Sequence, residues 1–125
     1  MRNRVTTLAR LEAGEGELVT NLRHEIVKLD PFGRVNVVEP GWTVTHMVRP
    51  TLDQPGVIAK VLATMPVRQL GRAADVAAAI VWLCSPTAAR HVSGQTITLA
   101  GGMEGRQLWA ASQVDEAQVR QRAHE

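Results

Sequence analysis

Apolar residues fall at helical spacing in two stretches of the chain. Leu18, Leu22, Ile26 and Leu29 lie four, four and three residues apart, which predicts an amphipathic helix over Leu18–Asp30. Pro31 and Gly33 end it. The second helix is predicted over Ala73–Cys84, stopped by Ser85-Pro86. Val76, Ala79, Ile80 and Leu83 form one apolar face, and Ala78, Val81 and Trp82 form another. A helix that is apolar on nearly every side is covered on both sides, so one face is expected on a sheet and the other against a second subunit. Asp75 stands in the first turn, where a carboxylate suits the positive helix end.

Two strands are predicted. Val35–Glu39 is a short valine-rich run suited to a parallel sheet covered on both faces. Gln95–Ala100 alternates Ile97 and Leu99 with Thr96 and Thr98 and stops at Gly101-Gly102. From Thr45 to Pro66 the pattern is punctuated by Pro50, Pro55, Gly56 and Pro66. A short helix over Val57–Thr64 fits between them, and the stretch is read as a mobile lid rather than a core element. Over residues 1–17 a short helix, Thr7–Ala13, is weakened by Gly14 and Gly16, and nothing resembles a nucleotide-binding strand. The polar tail Ala110–Ala123 has helical composition without a strong stripe. With only two strands, Val35–Glu39 is expected to keep an unpaired edge open to another chain.

This order of helices and strands is α/β. Three regions follow: an atypical N-terminal segment (1–17), an α/β region (18–103) and a polar tail (104–125). A hydrophobic content of 45% over 125 residues suits one soluble domain. The pI of 9.3 reflects arginines scattered along the chain, Lys28 and Lys60 being the only lysines among 14 basic residues. With no block of like charge, a nucleic-acid-binding face is poorly supported. The longest apolar run, Val76–Cys84, is too short for a membrane span. No secretory signal is evident, so a cytoplasmic protein is expected. Cys84 is the sole cysteine and reads as a small buried hydrophobe. His91 and His124 have no partners at ligand spacing, so no metal site is expected, and His24 reads as a surface residue.

Three motifs then narrow the class. Arg34–Thr45, RVNVVEPGWTVT, reads as a strand entering a Pro-Gly turn with hydroxyl residues beyond. Pro66–Val76, PVRQLGRAADV, leads through Gly-Arg into the second helix, and Ser93–Gly102, SGQTITLAGG, forms the closing strand. In this order they resemble the C-terminal half of short-chain dehydrogenases/reductases, over about Leu18–Met103. Ala73 and Ala74 depart from the usual Pro-Glu, and Ala100 stands where Asp is common. The resemblance implies a partial Rossmann-like (doubly wound) domain, comprising the C-terminal portion of the parallel sheet and its flanking helices. It also implies NAD or NADP as cofactor and a small-molecule carbonyl or alcohol as substrate.

By the same resemblance Pro40, Gly41, Trp42, Thr43 and Thr45 would meet the cofactor. Gly41 would let the backbone approach the nicotinamide, and the Thr45 hydroxyl would bond its carboxamide or the pyrophosphate. Read from composition alone, Pro-Gly is simply a turn after a strand. His46 and Met47 are candidate substrate contacts. Trp42 and Met47 fit pocket walls and ordinary packing equally well, and Trp109 reads as a packing or interface residue.

No catalytic residue is assigned. The family's proton-transferring Tyr-x-x-x-Lys would fall upstream of the Pro-Gly turn, yet the chain has no tyrosine and no lysine before Lys28. The alignment that best fits puts Leu8 and Glu12 at those positions. Leucine transfers no proton, and glutamate carries the wrong charge. The Gly-rich phosphate turn is missing as well, and Gly14-Glu15-Gly16 follows no predicted strand. The expectation is a truncated or frame-altered oxidoreductase, inactive alone and unable by itself to hold the whole cofactor. The family builds oligomers on the equivalent of the second helix. A homo-oligomer, or a mixed oligomer with a full-length relative, is therefore expected through Ala78, Val81 and Trp82, and a non-catalytic interaction module is the alternative function.

Overall fold

Residues 5–9, 16–103 and 108–123 are described by a computed structural model. The chain divides into two compact units, Met1–Glu39 with Val76–Thr98, and Pro40–Asp75 with Leu99–Glu125.

The first unit is built around a three-stranded sheet ordered β1-β2-β5, with β1 Val5–Ala9, β2 Arg34–Pro40 and β5 Thr96–Leu99. β1 runs parallel to β2, from Val5 opposite Arg34 to Ala9 opposite Val38. β5 is parallel to β2 as well, since the Val37 N–H donates to Gln95 O and the Gly41 N–H to Leu99 O, an advance of four residues on each strand. β2 is buried from Arg34 to Val38, as its valine-rich run predicts for a parallel strand covered on both faces.

The two buried polar residues of β2 are hydrogen-bonded. The Arg34 guanidinium donates to Val92 O and Ser85 O. Asn36 Nδ2 donates to Val92 O at 3.0 Å, while its Oδ1 accepts from the Gln95 N–H at 3.1 Å. Buried polar groups are tolerated when partnered in this way. Here they fasten β2 to the chain entering β5, a role that the apolar pattern does not signal.

The predicted first helix is α1, Gly16–Leu29. Leu22 and Ile26 pack against Val35 and Val37. Leu29 is 85% exposed, so the inward stripe stops short of it, and the Leu18 side chain lies outside the described residues. The predicted second helix is observed with the same bounds, as α4 Ala73–Cys84. Leu83 is buried, Val76, Ala79 and Ile80 are half-buried, and Ala78, Val81 and Trp82 are exposed.

Two expectations are corrected here. The segment Val5–Ala9 is a strand, where a short helix over Thr7–Ala13 was expected; residues 10–13, Glu12 among them, lie outside the described residues. Because β1 pairs with β2, the edge expected to stand open on Val35–Glu39 is filled.

The second unit contains β3 Thr43–Val44, parallel to β4 Gly71–Arg72, together with α2 Arg49–Leu52 and α3 Val57–Leu62. Next come a 3₁₀ turn, Ala111–Gln113, and α5 Glu116–Arg122. The stretch expected to be a mobile lid is instead the core of this unit. Leu52, Ile58, Val61, Leu62, Met65 and Leu70 are buried in one cluster with Val119 of α5. The tail completes that cluster from a distance, which local periodicity cannot reveal. α3 also ends earlier than the predicted Thr64, and α2 was not anticipated.

Candidate functional site

The segment singled out by sequence lies in the second unit, immediately after β2. Its first residues are tied down by backbone bonds. The Gly41 N–H donates to Leu99 O at 3.0 Å, and Trp42 O accepts from the Gly71 N–H at 2.9 Å. A Cβ placed on Gly41 would come within 2.7 Å of Ala100 Cβ and 2.8 Å of Ala100 Cα. The close approach permitted by Gly41 is therefore to the end of β5, a neighbour that the sequence did not reveal.

The predicted side chains divide into four kinds. The Thr43 hydroxyl donates to Gly41 O at 3.0 Å, so its hydrogen is spent on its own turn. Trp42 is partly buried and packs against the cluster containing Leu52, Leu62 and Met65. Pro40, His46 and Met47 are exposed, Met47 at 80%. Thr45 differs from all of these. Its Oγ1 is buried and has no hydrogen-bond partner, while its backbone oxygen accepts from the N–H groups of Val48 and Arg49 and so starts α2. Leaving a buried hydroxyl unpaired costs about 1 to 3 kcal/mol. A ligand amide or other polar group would repay that cost, so the residue present fits the carboxamide contact implied for it.

Next to this turn, Arg72 and Asp75 form a compact ionic start to α4. The Arg72 N–H donates to Asp75 Oδ2 at 2.8 Å, and Arg72 Nη2 lies 3.0 Å from Asp75 Oδ1. The carboxylate three residues into the helix thus reaches back to the preceding N–H, one half of a capping box. The Arg72 side-chain and backbone hydrogen bonds hold the Asp75 carboxyl below its ordinary value of 3.8, against a smaller opposing effect of burial.

A cavity of about 380 Å³ is lined by Gln69, Leu70, Arg72, Val119, Arg122 and Ala123. None of these is a predicted contact residue. Among the described residues no cluster of His, Cys, Asp and Glu could hold a metal ion, and no helix is long and apolar enough to cross a membrane. Trp109 is a packing residue. Its Nε1 donates to Met65 O at 3.0 Å, and the Arg68 guanidinium lies 3.9 Å from its ring centre. Leu8, aligned with the catalytic tyrosine, sits in β1 opposite Val37.

Comparison with known proteins gives consistent matches. The profile of the family described as enoyl-(acyl carrier protein) reductase matches residues 24–104. The chain is 36% identical over 98 residues to 7alpha-hydroxysteroid dehydrogenase of Escherichia coli K12, covering 78% of this chain and 37% of that one. It is 41% identical over 69 residues to acetoacetyl-CoA reductase of an Acinetobacter species, covering 55% and 27% respectively. Among solved structures, 7 alpha-hydroxysteroid dehydrogenase complexed with NADH and 7-oxo glycochenodeoxycholic acid superposes with a TM-score of 0.64 at 35% identity, over 76% of this chain and 36% of that one. The 3-oxoacyl-[acyl-carrier protein] reductase of Brucella melitensis gives 0.62 at 33% identity, over 76% and 32%. The chain thus spans about a third of the length of these relatives, and its fold is the corresponding part of a Rossmann-type α/β domain.

Proposed function

Because the chain belongs to the short-chain dehydrogenase/reductase family, we propose that it carries the nicotinamide-side turn of an NAD(P)-dependent oxidoreductase whose substrate is a ketone or secondary alcohol. The observation behind this reading is the buried, unpartnered Thr45 hydroxyl, in the Pro40–Thr45 turn where the family contacts its cofactor. The bound nicotinamide would supply the hydride. This chain's part is to hold the ring's amide end, with Thr45 as hydrogen-bond partner and the Pro40–Gly41 backbone alongside, and His46 and Met47 facing the substrate side. With no tyrosine in the chain, no residue stands ready for the family's proton transfer, so the chain by itself is inactive and its grip on the cofactor is weak. The protein works in the cytoplasm.

Two measurements test this. Dialysed protein with NADH or NADPH and a panel of ketones should show no carbonyl-dependent oxidation, and turnover would overthrow the claim of inactivity. NADH at millimolar concentration should shift the amide resonances of residues 40–45. Thr45→Val should abolish those shifts while leaving stability equal or higher, since it removes an unsatisfied buried group. Absent shifts in the wild type, or a Thr45→Val protein that is destabilised yet still shifts, would defeat the cofactor reading.

Assembly is proposed on a separate observation. Val81 is 69% and Trp82 42% exposed, beside the exposed Ala78 on the same helix. Apolar exposure of this kind marks an association surface, and a second copy of the chain or a full-length relative would cover it.

A further inference from the structure

α2 and α3 are too short to hold themselves. A single helical turn has more unsatisfied end groups than internal bonds, and α2 and α3 have four and six residues. Neither has a side-chain N-cap, and the α3 N-cap is Gly56, in the left-handed region at φ 74°. The missing partners come from the far end of the chain. Glu116 Oε1 accepts from the Ala59 N–H at 3.0 Å, satisfying a first-turn donor of α3. Arg120 Nη2 donates to Leu52 O, the final carbonyl of α2, at 3.1 Å, and its Nη1 reaches Asp53 Oδ1 at 3.3 Å. Both residues project from α5, whose own start is capped by Asp115 accepting from Ala117 and Gln118. Between them Val119 enters the Leu52–Leu70 cluster. Just upstream, the Leu108 and Trp109 N–H groups both donate to Ala63 O, beyond the end of α3.

We propose that residues 108–123 form a strap that fixes α2 and α3, with Glu116 and Arg120 as positioning residues that act through those helices on the Thr45 turn. The link to the turn is direct. The Arg49 N–H at the start of α2 donates to Thr45 O at 2.9 Å, and Arg120 binds the other end of the same helix. The acid meets a helix start and the base a helix end, the arrangement favoured by the helix dipole. The strap makes the wall beside Thr45 a fixed structure rather than a hinged one. This holds whether or not Thr45 meets a cofactor.

Hydrogen exchange on the full chain tests the strap without any ligand. In the wild type, the amides of α2, α3 and α5 should share one denaturant dependence, because they open as one unit; separate dependences would overturn the proposal. Glu116→Ala should speed exchange at Ala59 and along α3 about tenfold, as expected for one lost charged hydrogen bond, while Val37 and Val38 in β2 keep their rates. Glu116→Gln retains an acceptor oxygen and should stay within about threefold of the wild type. Arg120→Ala should act on Arg49–Leu52 and broaden the Thr45 amide resonance. Unchanged rates in α2 and α3 in both alanine variants, or equal acceleration in β2, would overturn it. Should an alanine variant fail to fold, the wild-type denaturant series decides.

Discussion

Gly41 and Ala100 meet where β2 hands over to the candidate turn. A methyl group on Gly41 would sit 2.7 Å from Ala100 Cβ, closer than carbon atoms tolerate. Gly41→Ala should therefore destabilise the protein by about 1 to 3 kcal/mol, measured by urea unfolding. Adding Ala100→Gly should restore only part of the loss, because it removes the Cβ contact and leaves Ala100 Cα 2.8 Å away, and the two changes, sharing one space, should not be additive. A harmless Gly41→Ala would show that the two strand ends are not held this close. At this scale the sequence was informative about position and less so about cause. Pro40–Thr45 was marked out by its resemblance, but the neighbour that excludes a Cβ at Gly41 comes from a strand end almost sixty residues away. Asn36 makes the same point. It reads as one polar letter in an apolar run, and only folding shows both ends of its amide engaged with Val92 and Gln95.

Among the elements, α4 was the most legible, because twelve residues with regular apolar spacing and a Ser-Pro stop leave little freedom. β1 was the least legible, since VTTLA has neither alternation nor flanking turn residues. Its status comes from pairing with β2, a tertiary effect that overrides local preference. The 49–65 stretch was misjudged for a related reason. Prolines hid its apolar positions, and one member of its cluster, Val119, lies in a tail that looks merely polar. The start of α4 carries a prediction of its own. Since the folded Asp75 carboxyl lies below 3.8, its contribution to stability is complete above that value and is lost as pH falls through the lower folded value. Asp75→Asn should therefore flatten the acid limb of stability below about pH 4 and leave its shape at neutral pH unchanged. Acid limbs that coincide for wild type and variant would contradict the capping geometry.

For the molecule as a whole, the exposed Val81 and Trp82 lead to an expectation about assembly. Sedimentation should show a concentration-dependent dimer or larger species, and Trp82→Glu should shift it to monomer while its circular dichroism is retained. A wild type that stays monomeric at high concentration would rule out self-association through this face. The placement of β1 has one more consequence. β2 is rich in valine, yet both of its flanks are already occupied. Fibril growth by strand addition would have to start on the outer margins, VTTLA and TITL, where threonine interrupts the hydrocarbon. Any mutation that loosens residues 5–9 should therefore shorten the lag before fibrils appear.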